Sequence, residues 1–121
     1  NLRARDMAKL GYLVLRKGRW ENQQVVAETW LAESFQHAVR RPRTFAAHTT
    51  DYGYLWWLLP LDGSGASTEP EADIYAAAGA RDQWIFIIPK YDMVVVVTGN
   101  TSSTFAQPVD FLYTDILPAV Q

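Results

Sequence analysis

The sequence predicts an α+β domain: an antiparallel sheet of three to four strands, with the first and last helices of the chain packed on one face of it. Three observations carry this reading. Amphipathic helical spacing occupies residues 5–16 and returns after Gln107-Pro108. Between these lie short aromatic and β-branched runs joined by tight turns. Hydrophobic residues make up 49% of the 121 and charged residues 20%, the balance of a chain that buries a core. The length suits one domain, residues 1–121.

The first helix is read over 5–16, where Met7, Leu10, Gly11 and Val14 follow the spacing of one buried face. Asp6 suits its first turn and Arg16 and Lys17 its last, given the helix dipole. Gly18 is a natural left-handed stop. A shorter helix is read over about 26–35, with Val26, Trp30 and Leu31 inward. Pro42 ends any continuation, and Arg40, Arg41 and Arg43 around it read as a solvated loop.

Residues 52–59, Tyr-Gly-Tyr-Leu-Trp-Trp-Leu-Leu, read as a strand closed by Pro60 and the turn at Asp62-Gly63-Ser64-Gly65. A polar loop follows over 62–72. Residues 74–79 read as a strand and Ala80-Arg81-Asp82 as a turn. Residues 84–88 and 93–97 read as a hairpin linked by Pro89-Lys90-Tyr91-Asp92. Proline at its first turn opens the last helix, whose apolar stripe is Val109, Leu112, Tyr113, Ile116 and Leu117. The strands are apolar at nearly every position, the pattern of a sheet covered on both faces. With helices on one face only, the other face would stay wet. That predicts self-association of the isolated chain, through the open face or by exchange of an element.

Composition removes several classes of function. Cysteine is absent, which excludes disulfide scaffolds, thiolate zinc sites and cysteine nucleophiles. A net charge of -2 argues against nucleic acid as a partner. No apolar run is long enough for a membrane span. His37 and His48 stand apart with no His-Glu-x-x-His pattern, so no metal is expected, and no cofactor fingerprint occurs.

Nucleophilic motifs are missing as well. There is no Gly-x-Ser-x-Gly, no serine with lysine three residues later, and no Tyr-x-Asn or Ser-x-Asn. Gly63-Ser64-Gly65 lies in a polar linker, and Lys9-Leu10-Gly11 lies in a helix rather than on a strand. The dense aromatics Tyr52, Tyr54, Trp56, Trp57, Trp84 and Phe86 read as sheet core, with a ligand wall at the sheet edge as the alternative.

Four segments together carry a resemblance. Leu2-Arg3-Ala4-Arg5-Asp6-Met7-Ala8-Lys9-Leu10-Gly11 is the first. Gly18-Arg19-Trp20 with Gln24-Val25-Val26 and Trp30 is the second, and Tyr52-Gly53-Tyr54-Leu55-Trp56-Trp57 the third. The fourth runs from Tyr75-Ala76-Ala77-Ala78-Gly79 through Gln83 to Ile88-Pro89 and Asp92-Met93-Val94-Val95-Val96. In this order they resemble the C-terminal part of the serine beta-lactamase-like hydrolases, the group that holds class C beta-lactamases, penicillin-binding proteins, esterases and 6-aminohexanoate-dimer hydrolases.

The resemblance implies the C-terminal portion of the beta-lactamase/transpeptidase-like fold, and a parent that hydrolyses a small-molecule amide or ester, a beta-lactam included. The family's Ser-x-x-Lys nucleophile and its tyrosine base lie upstream of the matching region. The chain then reads as a C-terminal fragment or lone domain, not catalytic alone. The family's third motif, Lys-Thr-Gly or His-x-Gly, falls at Ala77-Ala78-Gly79, and Ala80 would offer a backbone N–H to an oxyanion. Ala77 replaces the cation or imidazole, and Arg81-Asp82 replaces the usual Gly-Gly before Gln83. Many members are exported, which would place the parent in the periplasm or outside the cell. The competing readings are a non-catalytic binding module that uses the aromatic strand surface, and a degenerate, purely structural homologue.

Overall fold

The structure is a computed structural model that describes residues 2–36, 39–45, 48–63, 73–100 and 106–120. Helix α1 (Ala4–Leu15) opens where the Asp6 carboxylate accepts the Arg3 backbone N–H at 3.3 Å, which satisfies one of the free donors of the first turn. It stops at Gly18, which has φ +80° and donates its N–H to the Leu13 carbonyl at 2.8 Å. A Cβ at Gly18 would run into the Val26 carbonyl, so this stop takes glycine for both its conformation and its space. A two-stranded ribbon, β1 (Arg19–Trp20) with β2 (Gln23–Gln24), leads into α2 (Glu28–Gln36).

Six strands then form one antiparallel sheet in chain order: β3 (Val39–Phe45), β4 (His48–Tyr52), β5 (Trp57–Leu59), β6 (Ile74–Gly79), β7 (Gln83–Ile88) and β8 (Met93–Val97). A short 3-10 turn, Pro89–Tyr91, links β7 to β8 with Asp92 left-handed at φ 49°. The chain closes with α3 (Ala106–Phe111), a π-turn over Leu112–Ile116, and α4 (Leu117–Ala119), one continuous helical rod.

The α+β class and the antiparallel sheet are as predicted. The sheet is larger than three or four strands, and both additions have a physical reason. The basic stretch read as a loop is strand β3. Its Pro42 sits where the β3–β4 register shifts between Val39 and Arg43, and β3 is an edge strand, the two settings in which a strand tolerates proline.

The run 52–59, read as one strand, is a hairpin corner. Tyr52 pairs with Trp57 across a turn closed by the Gly53 N–H to the Trp56 carbonyl at 2.8 Å, with Leu55 left-handed at φ 65°. The turn is pinned from outside: the Tyr54 N–H donates to the Ser34 carbonyl of α2 at 2.9 Å, and a Cβ on Gly53 would collide with that same carbonyl.

The two sheet faces have separate covers. On one, Ile74, Ala76, Trp84, Phe86 and Ile88 pack with Leu59 against Val109, Leu112 and Leu117 of the C-terminal rod. The stripe predicted for the last helix lies wholly in or against this core, and Trp84 and Phe86 stack at 5.1 Å within it. On the other face, α1 lies on Ile85 and Val94, with Gly11 at the closest approach, and Phe35 of α2 stacks on Tyr75 at 3.9 Å.

The first and last helices are therefore on opposite faces, not on one. The predicted self-association rested on helices covering one face only; among the described residues both faces of the β6–β8 region carry helices. Trp30, read as inward, is 53% exposed, because the buried stripe of α2 runs through Leu31 and Ser34 instead. No helix among the described residues is long and apolar enough to cross a membrane.

Candidate functional site

Ala77, Ala78 and Gly79 are the last three residues of β6, and Ala80 opens the turn that follows. On one side all three strand residues pair with β7, through Ile85, Trp84 and Gln83. On the other side β5 pairs only with Ile74, Tyr75 and Ala76. Beyond Ala76 the outer edge of β6 has no strand partner among the described residues. Backbone groups alternate sides along an antiparallel strand, so either Ala78, or Ala77 and Gly79, turn N–H and C=O toward that open edge. Methyl and hydrogen side chains leave these groups approachable.

Gly79 is not forced by crowding: a Cβ there would meet Gln83 at 3.4 Å or beyond, ordinary contact. A residue larger than alanine would project over the same face as Gln83.

The turn is held more firmly than its sequence suggests. Arg81 and Asp82 both adopt left-handed backbone, at φ 62° and 60°, where the family pattern has glycines. The Gln83 side-chain amide donates to the Arg81 carbonyl at 3.1 Å and to the Gly99 carbonyl at 2.5 Å, which ties the turn to the end of β8. Arg81 adds a long contact to Asn100 at 3.4 Å. Asp82 is 4% exposed, and its Oδ2 is buried without a hydrogen-bond partner among the described residues. A Cβ on Gly99 would stand 3.0 Å from that of Asp82, so the β8 exit presses directly on the turn.

Next to this turn lies an open cleft of about 830 Å³ between the start of α1 and the end of the sheet. Its lining includes Arg3, Met7, Gln83, Thr98, Gly99 and Asn100. The four residues assigned from sequence flank this cleft and do not line it. Of the lining, Gln83 was legible as the glutamine ending the matched turn segment. Gly99 and Asn100 lie just past the last matched residue and left no signal.

Ser34, the serine among the described residues, is buried and donates to the Leu31 carbonyl at 2.8 Å, a structural role inside α2. Ser64 and Gly65 of the Gly63-Ser64-Gly65 element, His37, and residues 64–72 of the polar loop lie outside the described residues, as does the side chain of His48 in β4. No cluster of metal-ligating side chains occurs among the described residues. Shifted proton affinities lie elsewhere. Arg16 is raised by a Tyr12 hydrogen bond and by Asp92, and Tyr113 is raised by burial and then by Asp62 and Asp73.

The aromatics divide between the two readings made of them. Trp84 and Phe86 are core. Tyr52 packs on Trp57 at 4.4 Å, and Trp56 meets Phe35 edge-on at 5.6 Å. Tyr54 and Trp30 form a tilted pair at 6.0 Å, both about half exposed, next to the more exposed Leu55.

No family model matches the chain, and no curated protein matches it. A solved structure does: the "putative 6-aminohexanoate-dimer hydrolase from Bacillus anthracis", with a TM-score of 0.63 over 96% of this chain. The α+β fold is consistent with the C-terminal portion of a beta-lactamase-like fold. Sequence identity is 21%, and the match spans 28% of the longer protein.

Proposed function

We propose that this chain is the sheet-bearing part of a serine hydrolase of the beta-lactamase-like group, and that it presents the open edge of β6 to an amide or ester substrate. The single observation that supports it most is the geometry at Ala77–Gly79: three small residues whose outer edge has no strand partner among the described residues, at the strand end where the family pattern has its third motif. A substrate's own amide can hydrogen-bond to such an edge as an added strand would. The Ala80 N–H is the donor assigned to a developing oxyanion. Ala77 offers no cation, so binding at this edge would rest on backbone groups. The nucleophile and base would come from a part of the parent outside these 121 residues, and the chain by itself would be inactive.

Two measurements test this. Incubation of the chain with a fluorescent penicillin, read by denaturing gel and intact mass, should give no covalent adduct, and a stoichiometric adduct would overturn the assignment of the nucleophile elsewhere. In a longer protein that contains this segment behind a Ser-x-x-Lys, Gly79→Val should cut kcat/KM by roughly tenfold or more, about 1.4 kcal/mol of lost stabilisation, with the melting temperature nearly unchanged. Equal activity would return Gly79 to an ordinary strand position.

The exposed Trp30–Tyr54 pair favours a second reading, a non-catalytic module that docks a partner on this aromatic patch. In that case Trp30→Ala would abolish partner binding, and Gly79→Val would not.

A further inference from the structure

A second concavity lies on the α1–α2 face of the sheet, at the end opposite the β6–β7 turn. Tyr75 lines it, and Gly79 lies four residue steps further along the strand, about 13 Å at the usual rise. It has a volume of about 370 Å³. The floor and walls are Val14 and Leu15 from α1, Leu31 and Phe35 from α2, and Tyr75 from the sheet. The Phe35 and Tyr75 rings are stacked at 3.9 Å and 17°, a flat wall already fixed by their own contact. At the mouth Lys17, just past the end of α1, and Glu28, the first residue of α2, pair at 3.0 Å, with side chains 73% and 59% exposed.

We infer that this cleft is a binding site for a small neutral amide that carries an aromatic or branched aliphatic group. Size and lining set the apolar part: ligand clefts start near 300 Å³ and combine apolar walls with a few polar groups. The mouth sets the polar part. Lys17 supplies donors and Glu28 supplies acceptors, and the two charges cancel. A ligand carboxylate there meets Glu28, and a ligand ammonium meets Lys17; each pairs with one charge and is repelled by the other. A neutral amide complements both, its carbonyl accepting from Lys17 Nζ and its N–H donating to Glu28. An exposed pair of this kind is weak, so it can open to admit the amide. This site is independent of the β6 edge and stands whether or not the hydrolase reading does.

The test uses the 121-residue chain, nitrogen-15 labelled, titrated with N-benzylacetamide, 3-phenylpropanoate and 3-phenylpropylamine, three probes of similar size and different charge. The amide should bind in the millimolar range, as befits about eleven non-hydrogen atoms, and shift the amide signals of Leu15, Leu31, Phe35 and Tyr75. The two charged probes should bind at least several-fold more weakly.

Ala32→Phe, at an exposed helix position on the cleft wall, should abolish the shifts while circular dichroism and thermal melting stay unchanged. Lys17→Met should weaken the amide and strengthen the amine. No shift from the amide at 10 mM with a folded chain would overturn the site. Equal or tighter binding of either charged probe would overturn the ligand class. Shifts at these residues that track protein concentration rather than ligand would assign the cleft to contact between copies instead.

Discussion

Gly11 is where α1 and the sheet come closest, and Gly11→Ala sets two effects of known sign against each other. In an isolated helix the change is favourable by about 1 kcal/mol, since alanine loses less backbone freedom on folding. In this fold the new methyl would stand 2.5 Å from Val94 Cγ1 and 2.9 Å from Ile85 Cγ2, against an optimum of about 3.5–4.0 Å for carbon pairs. Both obstacles are β-branched side chains on strands, with few alternative rotamers. The helix itself must lift by roughly 1 Å, and overpacking of this kind costs about 1–3 kcal/mol.

The packing term wins, and the expected net loss is about 1 kcal/mol, or roughly 3–6 °C in melting temperature for a chain of this length. Urea titration monitored by circular dichroism measures it. Val94→Ala removes one of the obstacles, so the double variant should be less destabilised than the sum of the singles by at least about 0.5 kcal/mol. A Gly11→Ala protein more stable than the parent chain, or strict additivity in the cycle, would refute the claim that α1 is seated by this contact.

Other positions give expectations of the same kind. Arg81→Gly should raise stability by about 0.5–1 kcal/mol in the same titration, because it relieves a left-handed arginine and gives up only a long contact to Asn100. Gly53→Ala should cost about 2 kcal/mol or more, since its methyl meets the backbone carbonyl of Ser34 and must break the Tyr54 N–H contact there; near-neutral stability would show that the corner can shift.

Tyr113, whose hydroxyl donates to the Pro60 carbonyl, is held protonated by burial. A folded pKa above the unfolded value of about 10 means that its contribution is fully present below pH 10 and is lost as the pH rises beyond it. Melting temperature between pH 9 and 11 should therefore fall less steeply in Tyr113→Phe than in the parent chain.

Sequence periodicity located α1, β6, β7, β8 and the C-terminal stripe within a residue or two, because each of these buries a repeating apolar pattern that is visible locally. It failed where a distant partner decided the conformation. Tyr52–Leu59 is apolar throughout, and only the Ser34 carbonyl, some twenty residues earlier in the chain, turns it into a corner. The arginine-rich stretch 39–45 looks like loop because charge and proline mark loops, and an edge strand tolerates both. The placement of the helices on opposite faces was implicit in strands apolar on both sides, yet side-of-sheet has no local signature. At the candidate site, Ala77–Gly79 could be aligned by pattern, but the open edge depends on how far β5 extends, which no residue in β6 encodes.

The sheet is a meander, each strand pairing with the next in the chain, whereas α1 rests on β7 and β8, and its Arg16 meets Asp92 at 2.9 Å across 76 positions. These two kinds of contact make different demands on folding. Neighbouring strands need only short loops to close and can zip in sequence, while α1 must await the far end of the sheet and then bear the entropy of one long loop. Within this stretch α1 is made before the strands it rests on and finds its seat only after them. Until β7 and β8 are in place the apolar stripe of α1 lacks the cover they provide, so α1 depends on protection for longer than the strands do.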